Sequence, residues 1–176
     1  MDLKAKKIVY MFVSLVLAVP IYIVLHEGGH ALVAVLCGAR VTKFSILGAY
    51  MNYEGGIFTP VTFSLFHCAG MLLPVLVSLL LILTYRSGSS RMFYRIFSFF
   101  FLLLPVGSIL AWVIVPVLCL SGNPPQGDDV AKFIDSSGLS PWAVILGALL
   151  LFLACCFGAW RKKILQNYWA AITQDS

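Results

Sequence analysis

The chain has 176 residues, of which 61% are hydrophobic and 11% are charged, and it carries a net charge of +5. Soluble domains contain about 25% charged residues, so this composition excludes an ordinary water-soluble fold. Too little polar sequence remains for a separate soluble domain, and we expect one membrane-embedded domain over residues 1–176. The basic residues form short clusters beside apolar runs, which indicates membrane topology and no nucleic-acid partner.

Apolar runs long enough to cross a lipid bilayer recur along the whole chain. They predict an all-α polytopic membrane protein with about four transmembrane helices, at residues 8–38, 64–85, 92–120 and 141–160. As a helix, the first run is about 46 Å long, which exceeds the ~30 Å hydrocarbon core. It is therefore expected to tilt, to kink at Pro20 or to protrude, and Pro105 and Pro116 are expected to kink the third run.

Two stretches between the spans have other patterns. Residues 41–63 are rich in β-branched and aromatic side chains, interrupted by turn-forming residues: Gly48, Gly55, Gly56 and Pro60. This pattern favours a short β-hairpin or a re-entrant loop lying against the helices. The polar stretch 121–140 is broken by proline and glycine, and its residues 130–134 are expected to form a short helix capped by an aspartate.

The distribution of charge predicts the orientation in the membrane. Four spans place both termini and the loop after the second span on one side, with these basic residues: Lys4, Lys6, Lys7, Arg86, Arg91, Arg95, Arg161, Lys162 and Lys163. The other side holds only Arg40, Lys43 and Lys132. By the positive-inside rule, both termini are therefore expected to face the cytoplasm.

The first span contains the motif His26-Glu-Gly-Gly-His30. Two histidines four residues apart lie on one face of a helix, and Glu27 lies beside them. Zinc suits this arrangement, because it takes two nitrogen ligands, one further protein ligand and a water. We expect one zinc ion per chain, with His26 and His30 as ligands and Glu27 as the catalytic base. The alternative is that these residues only mark the interfacial end of an ordinary span.

The third zinc ligand has to come from elsewhere in the chain. The candidates are Glu54, His67, Asp128, Asp129 and Asp135. The two adjacent aspartates are favoured, because they follow a stretch broken by proline and glycine on the side of the membrane where the first span ends. Asp129 is preferred to Asp128. Alternatively, both aspartates only cap a short helix in a solvated loop.

The segment Leu25-His-Glu-Gly-Gly-His-Ala31, followed by Gly38-Ala-Arg-Val41, resembles the active-site helix of the site-2 protease family of intramembrane zinc metalloproteases. Cys68-Ala-Gly-Met-Leu-Leu-Pro74 resembles the family's Ala-Gly-Pro segment, and Asn123-Pro-Pro125 is similar to its Asn- and Pro-rich approach to an aspartate ligand. The family's Leu-Asp-Gly is absent from the chain, so the choice between the two aspartates stays open.

The resemblance implies a zinc-dependent endopeptidase that lies in the lipid bilayer and cleaves within or near transmembrane segments of membrane-protein substrates. In such an enzyme Glu27 takes a proton from the attacking water and later gives it to the leaving amine. His67 and Asn123 are expected either to stabilise the oxyanion or to hydrogen-bond to the metal ligands without binding the metal themselves. An exposed strand edge in residues 41–63 is expected to hold an unwound substrate, unless this segment is only a packing loop.

Two other functions fit the same residues. One is a membrane protein that binds or transports metal, and the other is an inactive relative that binds membrane proteins without cleaving them. A transport path ordinarily needs ionisable residues on several helices, and the third and fourth spans contain almost none apart from Arg95. The intact motif therefore favours the protease.

Overall fold

The computed structural model describes residues 2–173. The elements are α1 (Leu3–Leu36), β1 (Ala39–Ser45), β2 (Tyr50–Gly55), α2 (Pro60–Thr84), α3 (Met92–Ser108), α4 (Ala111–Leu120), α5 (Asp129–Ser137), α6 (Pro141–Arg161) and α7 (Ile164–Thr173). Four spans are long and apolar enough to cross a membrane: α1, α2, α3 together with α4, and α6. The predicted helical fold, with four spans and a hairpin after the first, is confirmed.

Helix α1 is one unbroken α-helix that continues through Pro20. It begins before the predicted residue 8 and ends before residue 38. Large apolar side chains are exposed on both sides of the histidine motif, with Val24 before it and Leu32 and Val35 after it. The motif therefore lies within the apolar part of the helix and not beyond its end.

The segment after α1 is the predicted hairpin, in which β1 pairs antiparallel with β2 and Ala39 lies opposite Gly55. A buried apolar cluster joins the hairpin to α1 and α2: Val33, Ala34, Ala39, Phe66 and Ala69. The prediction was wrong at its far end, since α2 begins at Pro60. Thr59 and Thr62 cap that helix reciprocally, and proline suits its first position.

The third span is two helices and not one kinked helix. The hydroxyl of Ser108 donates a hydrogen bond to the carbonyl oxygen of Pro105, 2.8 Å away. The amides of Ile109 and Leu110 then bond three residues back, to Val106 and Gly107, which tightens the chain into a turn. The break therefore follows Pro105 by about one turn, whereas Pro116 lies inside α4.

Helix α5 confirms the predicted short helix with an aspartate cap and extends it to Ser137. It is fixed against its neighbours by Val130, which is buried, and by Phe133, whose ring centroid lies 5.1 Å from that of Trp112 on α4. Helix α7 was not predicted. It packs on α3, where the rings of Tyr168 and Phe99 stack at 4.0 Å.

The described termini lie at one end of the molecule. Tyr10 of α1 contacts Phe93 at the start of α3, and Asn167 of α7 donates a hydrogen bond to the hydroxyl of Tyr85 at the end of α2. The hairpin and α5 lie at the opposite end. That both termini face the cytoplasm stays a prediction.

Candidate metal centre

Three side chains from two helices converge beside the hairpin. On α1, the Nε2 atoms of His26 and His30 lie 3.3 Å apart. Asp129, the first residue of α5, places its Oδ2 atom 3.6 Å from Nε2 of His26 and 3.1 Å from Nε2 of His30. His26, His30 and Asp129 are the one group of at least three potential ligands that clusters in this way within residues 2–173.

The spacing of these atoms fits zinc. In a tetrahedral site with bonds of about 2.0–2.2 Å, two ligand atoms lie about 3.3–3.6 Å apart. The measured distances of 3.1, 3.3 and 3.6 Å are close to that range. The three atoms therefore form one face of a coordination tetrahedron, and the fourth position is left for water or substrate.

The hydrogen bonding of His30 supports the same conclusion. Its Nδ1 atom lies 2.7 Å from the carbonyl oxygen of Phe66, which can only accept, so Nδ1 carries the proton. In the neutral ring, Nε2 then carries no proton, and its lone pair is directed at Asp129 and His26. A cation between these atoms stabilises such a cluster of acceptors, and the Phe66 carbonyl fixes the tautomer that a metal ligand needs.

Two glycines let α1 and α2 approach closely at this point. A Cβ atom at Gly70 would collide with the imidazole of His30 and lie 2.9 Å from Cε1 of His26. A Cβ atom at Gly29 would collide with the carbonyl oxygen of Ala69, whereas one at Gly28 would meet no atom within 4 Å. Sequence reasoning missed these roles. The small pair Ala69-Gly70 in an otherwise bulky helix was the available signal.

Glu27 is 7% exposed and lines a cavity of about 410 Å³ together with the three clustered side chains. The rest of the wall comes from the hairpin, mainly Tyr50, Met51 and Tyr53, and from Lys132 of α5. The carboxylate of Glu27 makes no hydrogen bond or ion pair with any other residue between 2 and 173. It is therefore free to bind a water molecule beside the metal position.

The adjacent aspartates have different surroundings. Oδ1 of Asp128 accepts hydrogen bonds from the amides of Val130 and Ala131 and so caps α5. Asp129 faces the histidines. Burial disfavours its charged form, but hydrogen bonding to the surrounding imidazoles, of which His67 donates its Nδ1–H to Oδ1, lowers the pKa of Asp129 well below its usual range. The carboxylate is therefore ionised, which is the form that binds a metal ion.

The other candidate residues divide into two sets. His67 is 3% exposed on α2, and its Nδ1 atom lies 3.3 Å from Oδ1 of Asp129. Asn123 lies in the exposed turn after α4, where its amide donates to the carbonyl oxygen of Ser121. Glu54 pairs with Arg40 on the hairpin surface, and Asp135 lines a different cavity. Only His67 of this group lies beside the metal centre.

The chain has four apolar spans, a His-Glu-x-x-His motif inside the first span, and an aspartate that faces the motif. These features are typical of one class of protein, the site-2-protease-like intramembrane metalloproteases. The chain belongs to the Peptidase M50B-like family, whose family model matches residues 7–123. No curated protein and no solved structure matches the chain. The matched range contains His26, Glu27 and His30 but ends before Asp129, so the aspartate is assigned from the geometry of this chain.

Proposed function

We propose that the protein is a zinc-dependent intramembrane endopeptidase, which hydrolyses peptide bonds within or near transmembrane segments of membrane proteins. His26, His30 and Asp129 hold one zinc ion per chain, and Glu27 is the catalytic base. The observation that carries this proposal is the tetrahedral spacing of the three ligand atoms, 3.1–3.6 Å, in the wall of a cavity that also contains the Glu27 carboxylate.

When bound, zinc acidifies a water molecule and polarises the scissile carbonyl. Glu27 takes the proton from the attacking water, holds it on its carboxylate and delivers it to the leaving amine. It is suited to this role because it follows His26 directly in the helix and is not engaged by another described side chain. His30 is held by the Phe66 carbonyl and Asp129 by His67, so these two ligands are oriented before the ion binds, whereas the buried Nδ1 atom of His26 has no hydrogen-bond partner among residues 2–173.

The hairpin provides a place for the substrate. A transmembrane helix hides its amides in hydrogen bonds and must unwind before a peptide bond reaches the site. In the described part of the chain the sheet has two strands, so β2 has one edge that is not paired. Since Tyr50, Met51 and Tyr53 of this strand line the cavity, an unwound substrate segment can pair with β2 and lie across the metal position.

Metal transport is the weaker alternative. A transport path needs ionisable residues from several helices, and α3, α4 and α6 contain no histidine, aspartate or glutamate. An inactive relative is the other alternative, and a cleavage assay distinguishes it.

The test is a comparison of wild type with Glu27→Gln, each co-expressed with tagged single-span membrane proteins as substrates. The variant should keep its zinc, because Glu27 is not a ligand, and should lose at least about 100-fold in cleavage rate. Cleavage by Glu27→Gln at the wild-type rate would show that Glu27 is not the base. A zinc-loaded wild type that cleaves none of the substrates would support the inactive relative.

A further inference from the structure

We propose that His67 is a positioning residue, which holds Asp129 so that only one of its two carboxylate oxygens faces the metal. This inference rests on the metal centre proposed above, and it concerns how that centre is kept four-coordinate with one open position.

The two oxygens of Asp129 have different partners. Oδ2 faces Nε2 of His26 and of His30, at 3.6 and 3.1 Å. Oδ1 faces Nδ1 of His67, at 3.3 Å. A carboxylate oxygen only accepts, so Nδ1 of His67 carries a proton and donates it to this contact. The carboxylate is thus divided between the metal position and a buried donor.

The ring of His67 is held rigidly. Its side chain is 3% exposed, and it packs edge-on against Phe63, with ring centroids 4.5 Å apart, and against Phe66, at 5.2 Å. Its Nε2 atom is buried and has no hydrogen-bond partner among residues 2–173. A buried nitrogen without a partner is unfavourable, and an apolar side chain would avoid that cost. The Nδ1 contact with Asp129 is what explains a histidine at this position.

Consecutive residues of α2 therefore orient ligands from two different helices. The carbonyl of Phe66 holds Nδ1 of His30 on α1, and the imidazole of His67 holds Oδ1 of Asp129 on α5. Groups of this kind, which bind ligands and not the metal, typically change metal affinity by about 10–100-fold. Without the His67 donor, Asp129 would be free to rotate its carboxylate, which would lower the affinity for zinc and would let both oxygens reach the metal position beside the water, as a fifth ligand atom.

The experiment compares His67→Leu with His67→Asn in the purified full-length protein. The Asn amide places an N–H near the position of Nδ1, whereas Leu fills the space without a donor. Cys68→Ala is the matched control, because Cys68 is the next residue, is also buried, and belongs to an apolar cluster that contains none of the three ligands. Zinc affinity is measured by chelator competition, and coordination geometry by the visible spectrum of the protein loaded with Co²⁺.

We expect His67→Leu to weaken zinc binding by about 10–100-fold and to shift the Co²⁺ spectrum from the intense four-coordinate form to the weaker five-coordinate form. His67→Asn should restore both properties, and Cys68→Ala should match the wild type. If His67→Leu keeps wild-type affinity and spectrum, or if His67→Asn is as impaired as His67→Leu, the positioning role is wrong while the metal centre stands. A wild-type protein that binds no zinc would instead overturn the proposed function.

Discussion

Neighbouring residues at the candidate metal centre have different contacts, and single atoms distinguish the roles proposed for them. His26 and His30 lie on the same face of α1 and direct Nε2 inward, while Glu27 between them keeps a free carboxylate in the cavity wall. At the start of α5, Asp128 uses Oδ1 to cap the helix and Asp129 turns Oδ2 to the histidines. The two aspartates therefore differ in their nearest partners, which are backbone amides for Asp128 and histidine side chains for Asp129.

The adjacent aspartates give a prediction at this scale. Asp129→Ala should remove most of the bound zinc, since it deletes a ligand. Asp128→Ala should keep the zinc but cost about 0.5–2 kcal/mol of stability through loss of the α5 cap. Zinc per chain by elemental analysis and the thermal midpoint in detergent measure the two effects. Equal zinc content in the two variants would remove Asp129 from the ligand set.

The elements themselves were largely predictable from the sequence. Long apolar runs and the β-branched, glycine-broken stretch are local properties, and they gave four spans and a hairpin. The spacing of His26 and His30 is also local, because both lie in one helix. A kink at Pro105 was expected, but the break into two helices depends on how the Ser108 hydroxyl turns, and the short helix α7 depends on packing against α3, so these two features were not predicted.

Contacts between elements decide two features that the sequence alone did not determine, namely which aspartate faces the histidines and which residues of α2 enter the site. Which aspartate faces the histidines depends on where α5 begins, and a shift of one residue rotates the side chain by about 100° around a helix. The Phe66 carbonyl and Gly70 enter the site only because α2 lies against α1. Such long-range contacts have no signature in residue spacing.

The packing of α1 on α2 predicts opposite results for the two glycines of the motif. Gly29→Ala should force the helices apart at the Ala69 carbonyl, with a cost of about 1–3 kcal/mol and loss of zinc affinity. Gly28→Ala should be tolerated, because its Cβ atom meets nothing within 4 Å. Thermal unfolding and zinc affinity of the two purified variants check this. A Gly29→Ala protein as stable and as zinc-replete as Gly28→Ala would contradict the close approach.

The whole molecule has two unlike ends. One carries the described termini, the loop between α2 and α3, and most of the basic side chains. The other carries the hairpin, α5 and the metal centre, which lie at the level where α1 still exposes Leu32 and Val35. Between the ends, exposed apolar side chains cover the four spans, as a lipid-facing surface requires.

This polarity leads to a prediction about orientation. By the positive-inside rule, tags at both termini should be protected from protease added outside intact cells. A tag inserted at Leu47, the fully exposed tip of the hairpin, should be cleaved and serves as the control. Cleavage of either terminal tag with protection of the hairpin tag would reverse the predicted topology.

The most direct test of the metal centre is the zinc content of the purified protein, measured by elemental analysis for wild type beside His26→Ala and Glu54→Ala. We predict about one zinc per chain in wild type and in Glu54→Ala, whose side chain lies on the hairpin surface, and almost none in His26→Ala. A wild type without zinc, or a His26→Ala variant that retains it, would contradict the account.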